Sequence, residues 1–109
     1  MIWEPILPTD WSRPTSWTLG RISDRRVIQF WDPEHLLAQE LKRQLLANPA
    51  EREPDCCERK GQFWDMAALY PKQARWAGSL PSPVLLNGPV AGIRAELESE
   101  LSTLLVSSR

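Results

Sequence analysis

Few of the residues that carry chemistry are present in this chain. It holds one histidine and two cysteines among 109 residues. A zinc site takes about four ligands, so Cys and His alone cannot complete one here. There is no Cys-x-x-Cys, the spacing of the usual dithiol redox loop. An excess of one charge is also missing. Thirteen basic and fourteen acidic residues leave a net charge of -1, with a pI near 5.8, so neither nucleic acid nor an anionic membrane is expected as a partner. No apolar run has the length that spans a bilayer, and the N-terminus has neither the basic region nor the apolar stretch of a signal sequence. The chain is expected to stay in the cytoplasm. No internal repeat is visible, and no cofactor is implied by any motif.

What is present is ordinary in bulk and unusual in two residue types. Hydrophobic residues at 42% and charged residues at 25% describe a folded chain rather than a disordered one. At this length one core is affordable and two are not, so residues 1–109 are expected to form a single domain. Ten prolines imply several loops of fixed shape. Six tryptophans imply a core with large rings or an exposed, adhesive face.

The stretch RVIQFWDPEHLLAQELKRQLLAN, residues 26–48, organises the rest. Val27, Ile28, Phe30 and Trp31 have the β-branched and aromatic composition of a strand. Asp32 and Pro33 end it and open a helix, Asp as the cap and Pro at the first helical position. Leu37, Leu41 and Leu45, flanked by Leu36 and Leu46, repeat at helical spacing, and Asn48-Pro49 closes the helix. A strand feeding a helix is the elementary step of an α/β fold.

Upstream, residues 2–7 (IWEPIL) predict a strand, with Pro5 confining it to an edge or an end of the sheet. A short helix is expected after Pro14, stopped by Gly20. Downstream, residues 49–62 form a charged loop without hydrophobic period. Residues 63–70 (FWDMAALY) fit a helix or a strand, and the period-two face of Trp64, Met66, Ala68 and Tyr70 favours the strand; residues 71–74 predict a turn, and residues 75–77 could form a short antiparallel return. Residues 84–86 are too short to assign. A second helix, from about Pro89 or Val90 to Val106, carries the stripe Ile93, Leu97, Leu101, Leu104 and Leu105.

This order, together with WEPILPTDW, SDRRVIQFWDPEHL, FWDMAALYPKQARW and LPSP, resembles the C-terminal portion of a group of bacterial thioredoxin-like proteins. The resemblance covers most of residues 2–83. It implies a thioredoxin-like fold and a thiol-redox ancestry. In that group the reactive Cys-x-x-Cys, or its selenocysteine variant, follows an earlier strand, which here would have to precede Met1. No catalytic residue is therefore carried over, and the expectation is a non-catalytic structural or interaction module of shortened form.

The candidate sites each have a plain reading beside the chemical one. Adjacent Cys56 and Cys57 can form a vicinal disulfide or chelate a soft ion such as a mercury or arsenic species, the basis of a thiol-disulfide or metal-binding alternative. Arg52, Arg59 and Lys60 would favour a thiolate there, and Glu53, Asp55 and Glu58 would oppose it. They can equally be two incidental surface thiols. His35 can carry a proton near neutral pH or simply sit at the surface of a helix start. Asp32 and Asp65 both follow Phe-Trp and could approach as a carboxylate pair if their strands shared a sheet; capping is the simpler use of Asp32. Trp31 and Trp64 are expected in the core. Trp11, Trp17 and Trp76 are either core fillers or a patch for a protein partner or a second copy of the chain.

Overall fold

Asp32 fixes the start of a 12-residue helix. In the computed structural model, which describes residues 1–7, 9–48, 54, 56–59 and 61–107, its carboxylate accepts from the backbone N–H groups of Leu36 at 3.0 Å and Leu37 at 2.9 Å. These are orphan donors of a helix start, and satisfying them stabilises the helix by about 0.5–2 kcal/mol. The capping role expected for Asp32 is met, but Pro33 and Glu34 form a turn and the helix begins at Leu36.

The elements in chain order are β1 (Ile2–Trp3), α1 (Ser16–Leu19), β2 (Phe30–Trp31), α2 (Leu36–Ala47), β3 (Glu58–Arg59), β4 (Gln62–Phe63), β5 (Ala67–Leu69), β6 (Leu85–Asn87) and α3 (Arg94–Ser107). The chain is thus a small mixture of helices and short strands, compatible with the α/β class expected from the sequence. The strands form three separate pairs, β1 with β2, β3 with β4 and β5 with β6. The residues group into two compact units, Met1–Leu37 and Ala38–Arg109.

In the first unit β1 and β2 run parallel, Ile2 opposite Phe30 and Trp3 opposite Trp31. Gln29 ties this pair to α1: its side-chain oxygen accepts from the Trp3 indole at 2.9 Å, and its amide donates to the Leu19 carbonyl at 2.9 Å. The strand expected over residues 2–7 is shorter for a chemical reason. Pro5 offers no N–H, and the Asp10 carboxylate takes those of Ile6 and Leu7 at 3.0 and 2.8 Å. Thr15 caps α1 by accepting from Thr18, and Gly20 follows its last turn, as the sequence predicts. Val27 is drawn into a turn by its N–H bond to the Asp24 carbonyl. The central strand therefore starts only at Phe30.

The second unit holds all of the deeply buried residues among those described: Ala38, Cys57, Phe63, Leu80, Leu85 and Ile93, with Gly88 and the polar Gln44 and Asn87. On α2 the Leu37, Leu41 and Leu45 stripe is half-buried, whereas Leu36 and Leu46 are exposed. Asn48 ends the helix by donating from its side chain to the Gln44 carbonyl. Within the loop expected over residues 49–62 a hairpin forms, Glu58 opposite Phe63 and Arg59 opposite Gln62. Gly61 takes a φ of +77° at its turn, a conformation Gly adopts without steric cost.

The strand expected over residues 63–70 is broken in two by Asp65, whose φ is +50°. The expected return at residues 75–77 yields only a bridge from Ala77 to Ser79. The true return is β6, antiparallel to β5 with Ala67 opposite Asn87 and Leu69 opposite Leu85. Alternation places Leu85 and Asn87 in the interior and Leu86 less deeply. A turn closed by the Pro89 carbonyl precedes α3, so that helix begins later than its apolar stripe suggests. Ile93 is buried and Leu97 and Leu104 are half-buried, but Leu101 and Leu105 are exposed, so the stripe is only partly covered.

Candidate functional site

Cys57 is fixed from two directions. Its carbonyl accepts from the Trp64 N–H at 3.0 Å, which continues the β3–β4 ladder by one step. Its sulfur lies against Gly88, where a Cβ would stand 3.3 Å from Sγ and 2.5 Å from the Asp65 carbonyl oxygen. Only a residue without a side chain fits between them. With 8% of its surface exposed, Cys57 belongs to the core.

Its neighbour faces a different environment. Cys56 is half-buried and borders a pocket of about 190 Å³ lined also by Lys42, Leu45, Leu46, Pro54, Glu58 and Phe63. The two sulfurs are joined as a vicinal disulfide. The pocket wall is therefore apolar on the Leu45, Leu46 and Phe63 sides and includes Cys56. Lys42 and Glu58, both partly exposed, form an ion pair at the rim, which cancels most of the charge there. Of the other charges expected to act on these thiols, Arg52, Glu53, Asp55 and Lys60 lie outside the described residues, as does the side chain of Arg59.

A second group of polar side chains forms in the first unit. His35 Nδ1 stands 3.4 Å from Glu4 Oε2, with 14% and 12% of the two side chains exposed. The two atoms face one another without hydrogen-bond geometry. Burial raises the Glu4 carboxyl above its ordinary value; the nearby His35 opposes that shift and Asp32 adds to it. His35 is therefore not the exposed helix-start residue of the plain reading, and its φ of +57° bends the chain just before α2. Glu4 was not singled out by sequence; its place in Trp-x-Pro, directly after the end of β1, was the available signal.

The remaining candidates separate. Asp32 caps α2, and its strand pairs only with β1 among the described residues. Asp65 lies between β4 and β5, where its carboxylate is 3.4 Å from the Val90 N–H, so the shared sheet on which a carboxylate pair depended is not formed. Trp31 is half-buried and Trp64 is 41% exposed, so neither is the core ring expected. Trp11 and Trp17 belong to the first unit and are 88% and 75% exposed; Trp76, in the second, is 59% exposed. Arg21 stacks over Trp17 at 5.7 Å.

Among the described residues no three or more His, Cys, Asp or Glu side chains converge as a metal site. No helix among them is long and apolar enough to cross a membrane. No family model, no curated protein and no solved structure matches this chain.

Proposed function

We propose that Cys56 and Cys57 form a reversible dithiol–disulfide centre in a small thioredoxin-like module. Oxidised, the pair exchanges with thiols; reduced, its two thiolates bind a soft ion such as a mercury or arsenic species. The observation that carries the reading is the joined pair with Cys56 bordering a pocket and Cys57 held in the core. Two incidental surface thiols would not need a glycine cleared beside one of them. The thioredoxin-like part rests on the resemblance, supported by element order: a parallel pair leading into α2, then an antiparallel pair leading into α3. Lacking Cys-x-x-Cys, the module is read as a stoichiometric, non-catalytic partner in exchange. In a reducing compartment the pair would rest mainly as the dithiol, and an oxidised thiol, a disulfide RSSR, would be needed to return it to the disulfide.

The test is a thiol titration of the purified protein before and after reduction, with the intact mass measured in parallel. The expected result is no free thiol at first, then two, with one hydrogen gained per sulfur and mercury bound only by the reduced form. Replacing both residues, Cys56→Ser with Cys57→Ser, should abolish all of it. Two thiols that are free from the start and indifferent to oxidant would overturn the reading.

A second reading has its own observation. Trp11 and Trp17 are exposed far beyond what a monomer needs, and aromatic rings of this kind anchor protein contacts. Under it the chain is an interaction module that docks a protein partner or a second copy of itself. Light scattering on the native protein and on Trp11→Ser/Trp17→Ser examines self-association: a dimer lost in the variant supports the second-copy form, and a monomer in both removes it.

A further inference from the structure

We infer, resting on the thiol-exchange reading, that exchange occurs at Cys56 and favours thiols carrying an aromatic or branched aliphatic body, with Cys57 as the leaving sulfur. Three observations lead there. The first is access: Cys56 borders the pocket and Cys57 does not, its sulfur being packed at Gly88. Attack on a disulfide needs an open approach to one sulfur along the bond, so the incoming thiolate reaches Cys56.

The second is volume. About 190 Å³ exceeds the roughly 150 Å³ of an apolar cavity that holds benzene. The third is the lining. Leu45, Leu46, Pro54 and Phe63 supply apolar surface, while Lys42 and Glu58 are spent on one another. A charged thiol finds no free partner of opposite sign among these residues, whereas an apolar one leaves water for Leu and Phe surface.

The step balances as follows. The thiolate RS⁻ bonds to Cys56 Sγ while the Cys56–Cys57 bond breaks, its electron pair leaving on Cys57, which takes a proton from solvent. The product is RS–Cys56 beside a free Cys57 thiol. Attack by Cys57 on Cys56 reverses it and expels RS⁻. Attack by a second RS⁻ on the bound R-sulfur releases RSSR and leaves both cysteines reduced, so the thiol is the two-electron reductant.

The experiment treats the oxidised full chain with benzyl mercaptan or 2-mercaptoethanol, quenches with N-ethylmaleimide, and locates each adduct by fragmenting the peptide between residues 56 and 57. Expected are the benzylthio group on Cys56 with maleimide on Cys57, and a benzyl mercaptan rate per thiolate about tenfold or more above that of 2-mercaptoethanol, the scale on which apolar pockets discriminate. Leu46→Ser, at a position 72% exposed and so safe for folding, should lower the benzyl rate more than the other. Adducts mainly on Cys57, or equal rates for the two thiols, overturn this inference while the exchange reading stands. No exchange with either thiol overturns both.

Discussion

Cys57 and Gly88 meet at a point where no side chain fits: a Cβ on Gly88 would come within 2.5 Å of the Asp65 carbonyl and 3.3 Å of the Cys57 sulfur. That contact joins the β3–β4 hairpin to the end of β6. It also explains why one cysteine of the pair is buried and the other is not.

Gly88→Ala should therefore be costly although it adds a single methyl group. The carbonyl cannot yield as a flexible side chain would, so overpacking of roughly 1–3 kcal/mol is expected. Denaturant unfolding of the oxidised variant measures it. The same substitution should push Cys57 outward, so that after reduction its alkylation by iodoacetamide speeds up relative to wild type. Unchanged stability would mean that the hairpin does not pack on Gly88.

Asp32→Ala should destabilise the chain by about 1 kcal/mol, the usual cost of removing a capping carboxylate. Asn at the same position can still accept a hydrogen bond and should restore much of the loss. Amide hydrogen exchange gives the sharper readout: Leu36 and Leu37, which donate to Asp32, should lose protection first. A purely electrostatic effect on the helix dipole would instead leave Asn no better than Ala.

How much of this was legible in the chain depends on whether a local or a distant partner decided each element. The Asp32 cap, the α2 stripe and the short helix after Pro14 follow from residues a few positions apart, and the sequence predicts them. The return strand was misplaced because Leu85 to Asn87 becomes a strand only by pairing with residues 67–69. FWDMAALY offers unbroken strand composition, yet a positive φ at Asp65 splits it. The cysteine pair was visible as chemistry, but its asymmetry was not, because Gly88 reads in sequence only as punctuation between Asn and Pro. Glu4 and His35 are far apart in the chain, and no periodicity links them.

Trp11→Ser should leave stability within about 0.5 kcal/mol of wild type, since a ring 88% exposed contributes little to folding. Trp17→Ser should cost slightly more, because the ring also carries Arg21 at 5.7 Å, an exposed cation–π contact of about 0.5–1 kcal/mol. Thermal unfolding of the two variants checks the order. A loss well above these values at Trp11 would place that ring in a packed environment and remove it as a partner anchor.

Glu4 gives the pH dependence its sign. Its folded carboxyl sits above the ordinary value of 4.5, chiefly through burial. The folded state therefore holds a proton that the unfolded state has already released, and between 4.5 and the raised value it binds more protons than the unfolded state does. Stability from this group is present below 4.5 and is lost as pH rises through the folded value. Carbon-detected NMR titration of the Glu4 carboxyl should show the raised midpoint directly. Since His35 lowers the Glu4 value and Asp32 raises it, His35→Ala should move the midpoint further up and Asp32→Asn should move it down. Opposite shifts from the two substitutions are the signature of the cluster. A midpoint at or below 4.5, insensitive to both, would mean that Glu4 faces water and that the contact with His35 does not form.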